Sequence, residues 1–119
     1  MPVPPTVTDY EWLTSEAAIV WLELVAQAQG SLVSLASRLR SELSPARAHL
    51  VIEQIELRRR ARKKFRMTDS MFFTPSGLQQ STDQWVACHK AVRFASQPRV
   101  VDLCCGLGGD LMALAQNSS

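Results

Sequence analysis

Apolar residues return every three or four positions along much of this chain, the spacing of one face of a helix. In "EAAIVWLELVAQAQ", Ala18, Trp21, Leu22 and Val25 form such a stripe. Thr14 or Ser15 is placed to cap its start and Gly30 to end it. Ser31 restarts the pattern in "SLVSLASRLRSEL", with Leu32, Leu35, Leu39 and Leu43 on the buried side. Ser44-Pro45 puts a capping residue before a proline at the first helical position, which opens a third helix running to about Phe65. Leu50, Leu57, Ala61 and Phe65 share one of its faces, while Val51, Ile52 and Ile55 widen its first half for burial on two sides. The pattern predicts a three-helix domain over residues 12–66, preceded by a segment, 1–11, that Pro2, Pro4 and Pro5 keep extended.

Residues 67–81, "MTDSMFFTPSGLQQS", lose the period. Pro75 and Gly77 mark them as a linker loop carrying a small cluster of Met71, Phe72 and Phe73. A fourth helix, "DQWVACHKAVRFA", follows from a cap at Ser81 or Thr82 and stops at Pro98. Then the pattern switches: "RVVDLCC" reads as a short strand over 99–105, "GLGGD" as a turn and "LMALA" as a helix start. The predicted fold class is mainly α as present, followed by the first strand and turn of an α/β Rossmann-like domain that begins at residue 82. One strand has no partner here, and a parallel partner requires a crossover of a dozen residues or more. The expectation is therefore an incomplete domain over 82–119, its remainder truncated or supplied by another chain, with self-association possible through the unpaired strand at 99–105.

Composition narrows the setting. With 119 residues, 46% hydrophobic and 20% charged, the chain is globular in character. A net charge of +2 argues for no partner, but seven of the 13 basic residues fall between Arg58 and Arg66. Arg58, Arg59, Arg62, Lys63 and Arg66 are candidate contacts to an RNA backbone. The plainer alternative is a solvated helix end, where cations suit the last carbonyls. No apolar run reaches the ~18 residues of a membrane span, and the N-terminus lacks the pattern of a secretory signal. Cys88, Cys104 and Cys105 make no disulfide framework and no metal spacing, so a reducing cytoplasm is expected, with the cysteines as small buried packing residues. His49 and His89 are read as ordinary helix histidines, and Trp12, Trp21 and Trp85 as core.

The chemistry lies in "VVDLCCGLGGD". Glycines after a strand let the backbone turn sharply and approach a ligand, and the next helix offers unpaired N–H groups and a positive dipole end. A dinucleotide fingerprint is disfavoured because Leu111 stands where its third glycine belongs, and a P-loop because Gly109 is followed by Asp110 rather than lysine. An acidic residue, three residues, then G-x-G-G does fit. It resembles the first motif of class I S-adenosylmethionine-dependent methyltransferases, whose patterns often carry a further glycine where Cys104 stands. The segment is also similar to that of trimethylguanosine synthase-like RNA methyltransferases. The order "LRRRARKKF", "MFFTPSGLQQST", "VDLCCGLGGD" resembles bacterial methyltransferases with a helical N-terminal domain and a THUMP-like C-terminal one, over about Tyr10 to Ala115.

That resemblance implies S-adenosylmethionine as cofactor and RNA as acceptor. It implies that Asp102 holds the cofactor's methionine or ribose end and that Gly106 and Gly108 form its floor, with Cys104, Gly109, Gln80 and Thr82 also among the cofactor-binding residues. No residue is assigned to the acceptor side, and weak or no cofactor binding is expected of these residues alone. The competing reading is a helical module that docks nucleic acid or a partner, with catalysis vestigial.

Overall fold

The computed structural model describes residues 3–28 and 32–117. Among them are seven α-helices: α1 (Val7–Leu13), α2 (Glu16–Gln27), α3 (Leu32–Glu42), α4 (Pro45–Ala61), α5 (Pro75–Gln80), α6 (Gln84–Ala91) and α7 (Gly109–Gln116). Two short 3-10 turns, Thr68–Ser70 and Val92–Phe94, complete the regular structure. The chain divides into two compact units, Met1–Glu56 and Leu57–Ser119, so the division falls inside α4.

The first unit has one core. Leu13, Ala18, Leu22, Val25, Leu39, Ala48, Leu50, Val51 and Ile55 are buried, with Trp12, Trp21, Leu35 and Leu43 packed around them. The period of the sequence therefore marks the inward faces of α2 and α3, and Val51 with Ile55 gives α4 its second buried face; Ile52 stays exposed. Gly30 and Ser31, expected to end one helix and start the next, lie outside the described residues. Their neighbours do stop and restart the helix, at Gln27 and Leu32.

Residues 1–11 are not wholly extended: α1 begins at Val7. Proline at positions 4 and 5 does not forbid a helix starting after it. Thr6 takes extended backbone at the cap, and the Asp9 carboxylate accepts hydrogen bonds from the Thr6 N–H at 2.9 Å and its hydroxyl at 2.8 Å. Asp9 also pairs with Arg47 Nε at 3.2 Å, and the Arg47 guanidinium lies 4.8 Å from the Trp12 ring centre. These contacts tie α1 to the start of α4.

In the second unit, Leu57, Ala61, Phe65, Phe73 and Leu78 are buried together, with Met71 and Leu107 against them. The Phe65 and Phe73 rings meet at 5.9 Å between centres. Residues 67–81 thus form a packed segment rather than a loop. Thr74-Pro75 opens α5 as Ser44-Pro45 opens α4, and the Thr74 hydroxyl accepts from Gly77 N–H at 3.0 Å. A smaller core of Ala87, Ala91 and Ala113, flanked by Cys88 and Leu114, joins α6 to α7, small side chains letting the two helices approach. Asp83, not Ser81 or Thr82, is the cap residue of α6: its carboxylate accepts from Trp85 N–H at 2.8 Å.

The strand expected over 99–105 is absent; no strand occurs among the described residues. Residues 99–102 run outside regular structure and a turn starts at Leu103. The reason is pairing. A strand is stabilised by a neighbour's backbone, and the described chain has no second strand to supply it. Val101 and Leu103 are left 71% and 82% exposed. Cys104 and Cys105, expected to be buried, are exposed as well, because the sheet that would cover them is not formed. Trp85 is likewise on the surface, not in the core.

Candidate functional site

Three alternate residues of the turn hold left-handed backbone: Cys104 at φ 62°, Gly106 at φ 57° and Gly108 at φ 81°. Glycine is the residue that takes this conformation at no steric cost, and Cys104 is the sole non-glycine in it among the described residues. Gly108 is the cap of α7, and its N–H donates to Cys105 O at 2.8 Å while its own carbonyl accepts from Met112 N–H at 2.8 Å. A Cβ built on Gly106 meets nothing within 4 Å, so the space beside it is open. Gly109 does the opposite. A Cβ there would sit 3.2 Å from Thr82 O and 3.4 Å from the Phe65 ring, so this glycine lets α7 start hard against the second core.

Beside the turn lies a cavity of about 180 Å³. Its wall includes Gln80, Thr82, Cys104, Gly106 and Gly109, five of the seven residues singled out from sequence. Asp102 lines a different cavity, of about 230 Å³, with Lys90, Phe94 and Asp110 among its neighbours. Gly108 lines neither. One oxygen of Asp102, Oδ2, is buried without a hydrogen-bond partner among the described residues.

The wall opposite the turn is fixed by residues the pattern did not flag. The Lys64 ammonium donates to the carbonyls of Leu78 at 2.9 Å, Gln79 at 3.3 Å and Ser81 at 2.9 Å, closing the C-terminal end of α5. Gln84 N–H donates to Lys64 O at 2.8 Å, and Arg66 N–H to Gln84 Oε1 at 2.9 Å. The Thr82 hydroxyl donates to Asp110 Oδ2 at 3.0 Å, and Lys90 Nζ lies 2.8 Å from Asp110 Oδ1. The Lys90 ammonium first, and the Thr82 hydroxyl after it, hold the Asp110 carboxyl below the usual carboxylate range, with partial burial opposing them. Nothing in the sequence separates Lys64 from its six basic neighbours. Asp110 carries a weak signal as an acid in a first helical turn.

The basic run is less free than its composition implies. Arg58 is buried, donates from Nε to Met71 O at 2.9 Å and stacks 4.9 Å from the Phe72 ring centre. Burial lowers its pKa, with Asp69 opposing. Arg62 faces Asp69 at 3.8 Å, and Arg66 lies over Trp85 at 4.3 Å. Of the five cations expected to meet RNA, Arg59 and Lys63 have no such partner among the described residues. No cluster of three metal-ligating side chains occurs among those residues, and no described helix is long and apolar enough to cross a membrane. Comparison with protein-family models, curated proteins and solved structures returned no match.

Proposed function

We propose that Asp102 to Asp110 is the cofactor-seating turn of an S-adenosylmethionine-dependent methyltransferase, with RNA as the class of acceptor. The observation that carries this reading is the run of left-handed residues at 104, 106 and 108, leading into the start of α7 beside an open cavity. In the methyltransferase pattern glycine often stands at the position of Cys104, and a left-handed φ there is what such a glycine would serve. The open side of Gly106 and the N-terminal end of α7 suit a polar, nucleotide-like group. Cys104, Gly106, Gln80 and Thr82 would border it, while Asp102, with its buried unpartnered oxygen, lines the neighbouring cavity. When bound, the cofactor supplies an electrophilic methyl group on a sulfonium. The protein's own part is to orient it, since transfer needs donor and acceptor held in line.

A cavity of about 180 Å³ is below the roughly 300–1,000 Å³ of ordinary ligand sites, so these residues grip only part of such a ligand. Binding by this chain is expected to be weak. Titration with S-adenosylhomocysteine to millimolar concentration, followed by amide NMR, tests the assignment. Shifts confined to residues 80–82 and 102–110, with NAD giving none, are the expected result. Equal shifts with NAD, or none with either, would remove it.

A further inference from the structure

Cys104 and Cys105 are adjacent, both exposed, and both on the wall of the cavity beside the glycine turn. The reading above gives the second of them no task. Exposed thiols are the ones oxidants reach, and a thiol with a neighbour in reach ends as a disulfide rather than climbing to irreversible acids. The nearest possible neighbour is the next residue, whereas Cys88 is half-buried on α6. We infer that Cys104 and Cys105 are a peroxide-sensitive dithiol that closes reversibly into a vicinal disulfide and reshapes the cavity when it does.

The chemistry balances with hydrogen peroxide as the oxidant. One thiolate attacks the peroxide; an S–O bond forms, the O–O bond breaks, and the departing hydroxide takes one proton, the one the thiol had released, and leaves as water. The second thiol then attacks the sulfenic sulfur; the S–S bond forms, the S–O bond breaks and a second water leaves. Two thiols and one peroxide thus give one disulfide and two waters. The geometry makes the bond labile. Consecutive Cα atoms across a trans peptide are ~3.8 Å apart, short of the roughly 4.4–6.8 Å that relaxed disulfides span. A strained, exposed disulfide is readily reduced, which suits a switch and not a structural staple. Cys104 already holds left-handed backbone, so the bond would close within the turn itself. Its effect on cofactor affinity rests on the methyltransferase reading; the bond itself does not.

Brief exposure of the full chain to hydrogen peroxide, then alkylation and peptide mapping, tests the inference. Of the three thiols in the reduced chain, only Cys88 should still alkylate, and the peptide holding 104 and 105 should be lighter by two hydrogens. A dithiol reductant should restore all three. Amide resonances of Gly106 to Gly109 should move on oxidation and return on reduction. Cys105→Ser and Cys104→Ser should each leave a thiol that over-oxidises or joins two chains. Full alkylation after peroxide, or a bond to Cys88, would overturn the dithiol. A disulfide that leaves the Gly106 to Gly109 resonances in place would overturn the reshaping. If S-adenosylhomocysteine shifts neither form while the disulfide appears, the cofactor assignment fails and the dithiol stands.

Discussion

At Gly109 the absence of one methyl group decides whether α7 can begin where it does. Gly109→Ala forces a Cβ to 3.2 Å from Thr82 O, a backbone atom that cannot swing aside, and should cost about 1–3 kcal/mol in urea denaturation. Gly106→Ala meets no atom and is penalised only for its left-handed backbone, by about 1 kcal/mol. Asp110 gives a pH signature. Its carboxyl is held below the usual range, so its contribution is present in full above that range and is lost as pH falls through the folded value. The wild type should therefore weaken on acidification more than Asp110→Asn does, by on the order of 0.2–1 kcal/mol because the pair with Lys90 is partly exposed. Thermal melts of both proteins across the acid limb are the measurement. At this scale the sequence was partly legible. The glycines announced a turn, but the neighbours that make Gly109 intolerant, Phe65 and Thr82, lie far away in the chain, and Gly106 has none.

Elements read well wherever a local signal was complete. The stripe of Ala18, Leu22 and Val25 and the Ser44-Pro45 start appear as α2 and α4. The helices that were missed carried the same signals: Thr6 with Asp9 three residues on, and Thr74-Pro75. In both, the neighbouring prolines equally suit extended chain or a loop, so the local pattern supports two readings. The strand failed for the converse reason, since β-branched residues state a preference that only a partner can realise. Hydrogen exchange should separate these cases. Amides in the apolar half of α4, from Leu50 to Leu57, should be protected, while those of residues 99–104 exchange fast, having no backbone hydrogen bonds among the described residues. Lys64→Met removes the cation from three carbonyls and should cost about 2 kcal/mol. The added exchange should concentrate at residues 78–84, and uniform acceleration would count against a local clamp.

On the scale of the molecule, stability resides in separate cores, each built by helices close in sequence. Leu39 is fully buried in the first, and Leu39→Ala should cost about 2–5 kcal/mol there. Residue-resolved exchange during the same denaturation shows whether the loss is confined to residues up to 56, as distinct cores require. The first core was visible in the sequence as periodic apolar residues, whereas the alanine core of Ala87, Ala91 and Ala113 and the Phe73 and Leu78 part of the second were not. The resemblance grouped Gln80, Thr82, Cys104 and Gly106, and they do line one hollow; the Lys64 clamp and the Thr82 to Asp110 bond on its wall had no comparable signal.

The surface position of Trp85 gives the chain a built-in optical label. Trp12 and Trp21 are partly sheltered by the first core, whereas Trp85 is 55% exposed in the second unit beneath the Arg66 guanidinium. Iodide should quench one fraction of the emission far more readily than the rest. Trp85→Phe should erase that fraction, leaving bluer light that monitors the first core alone.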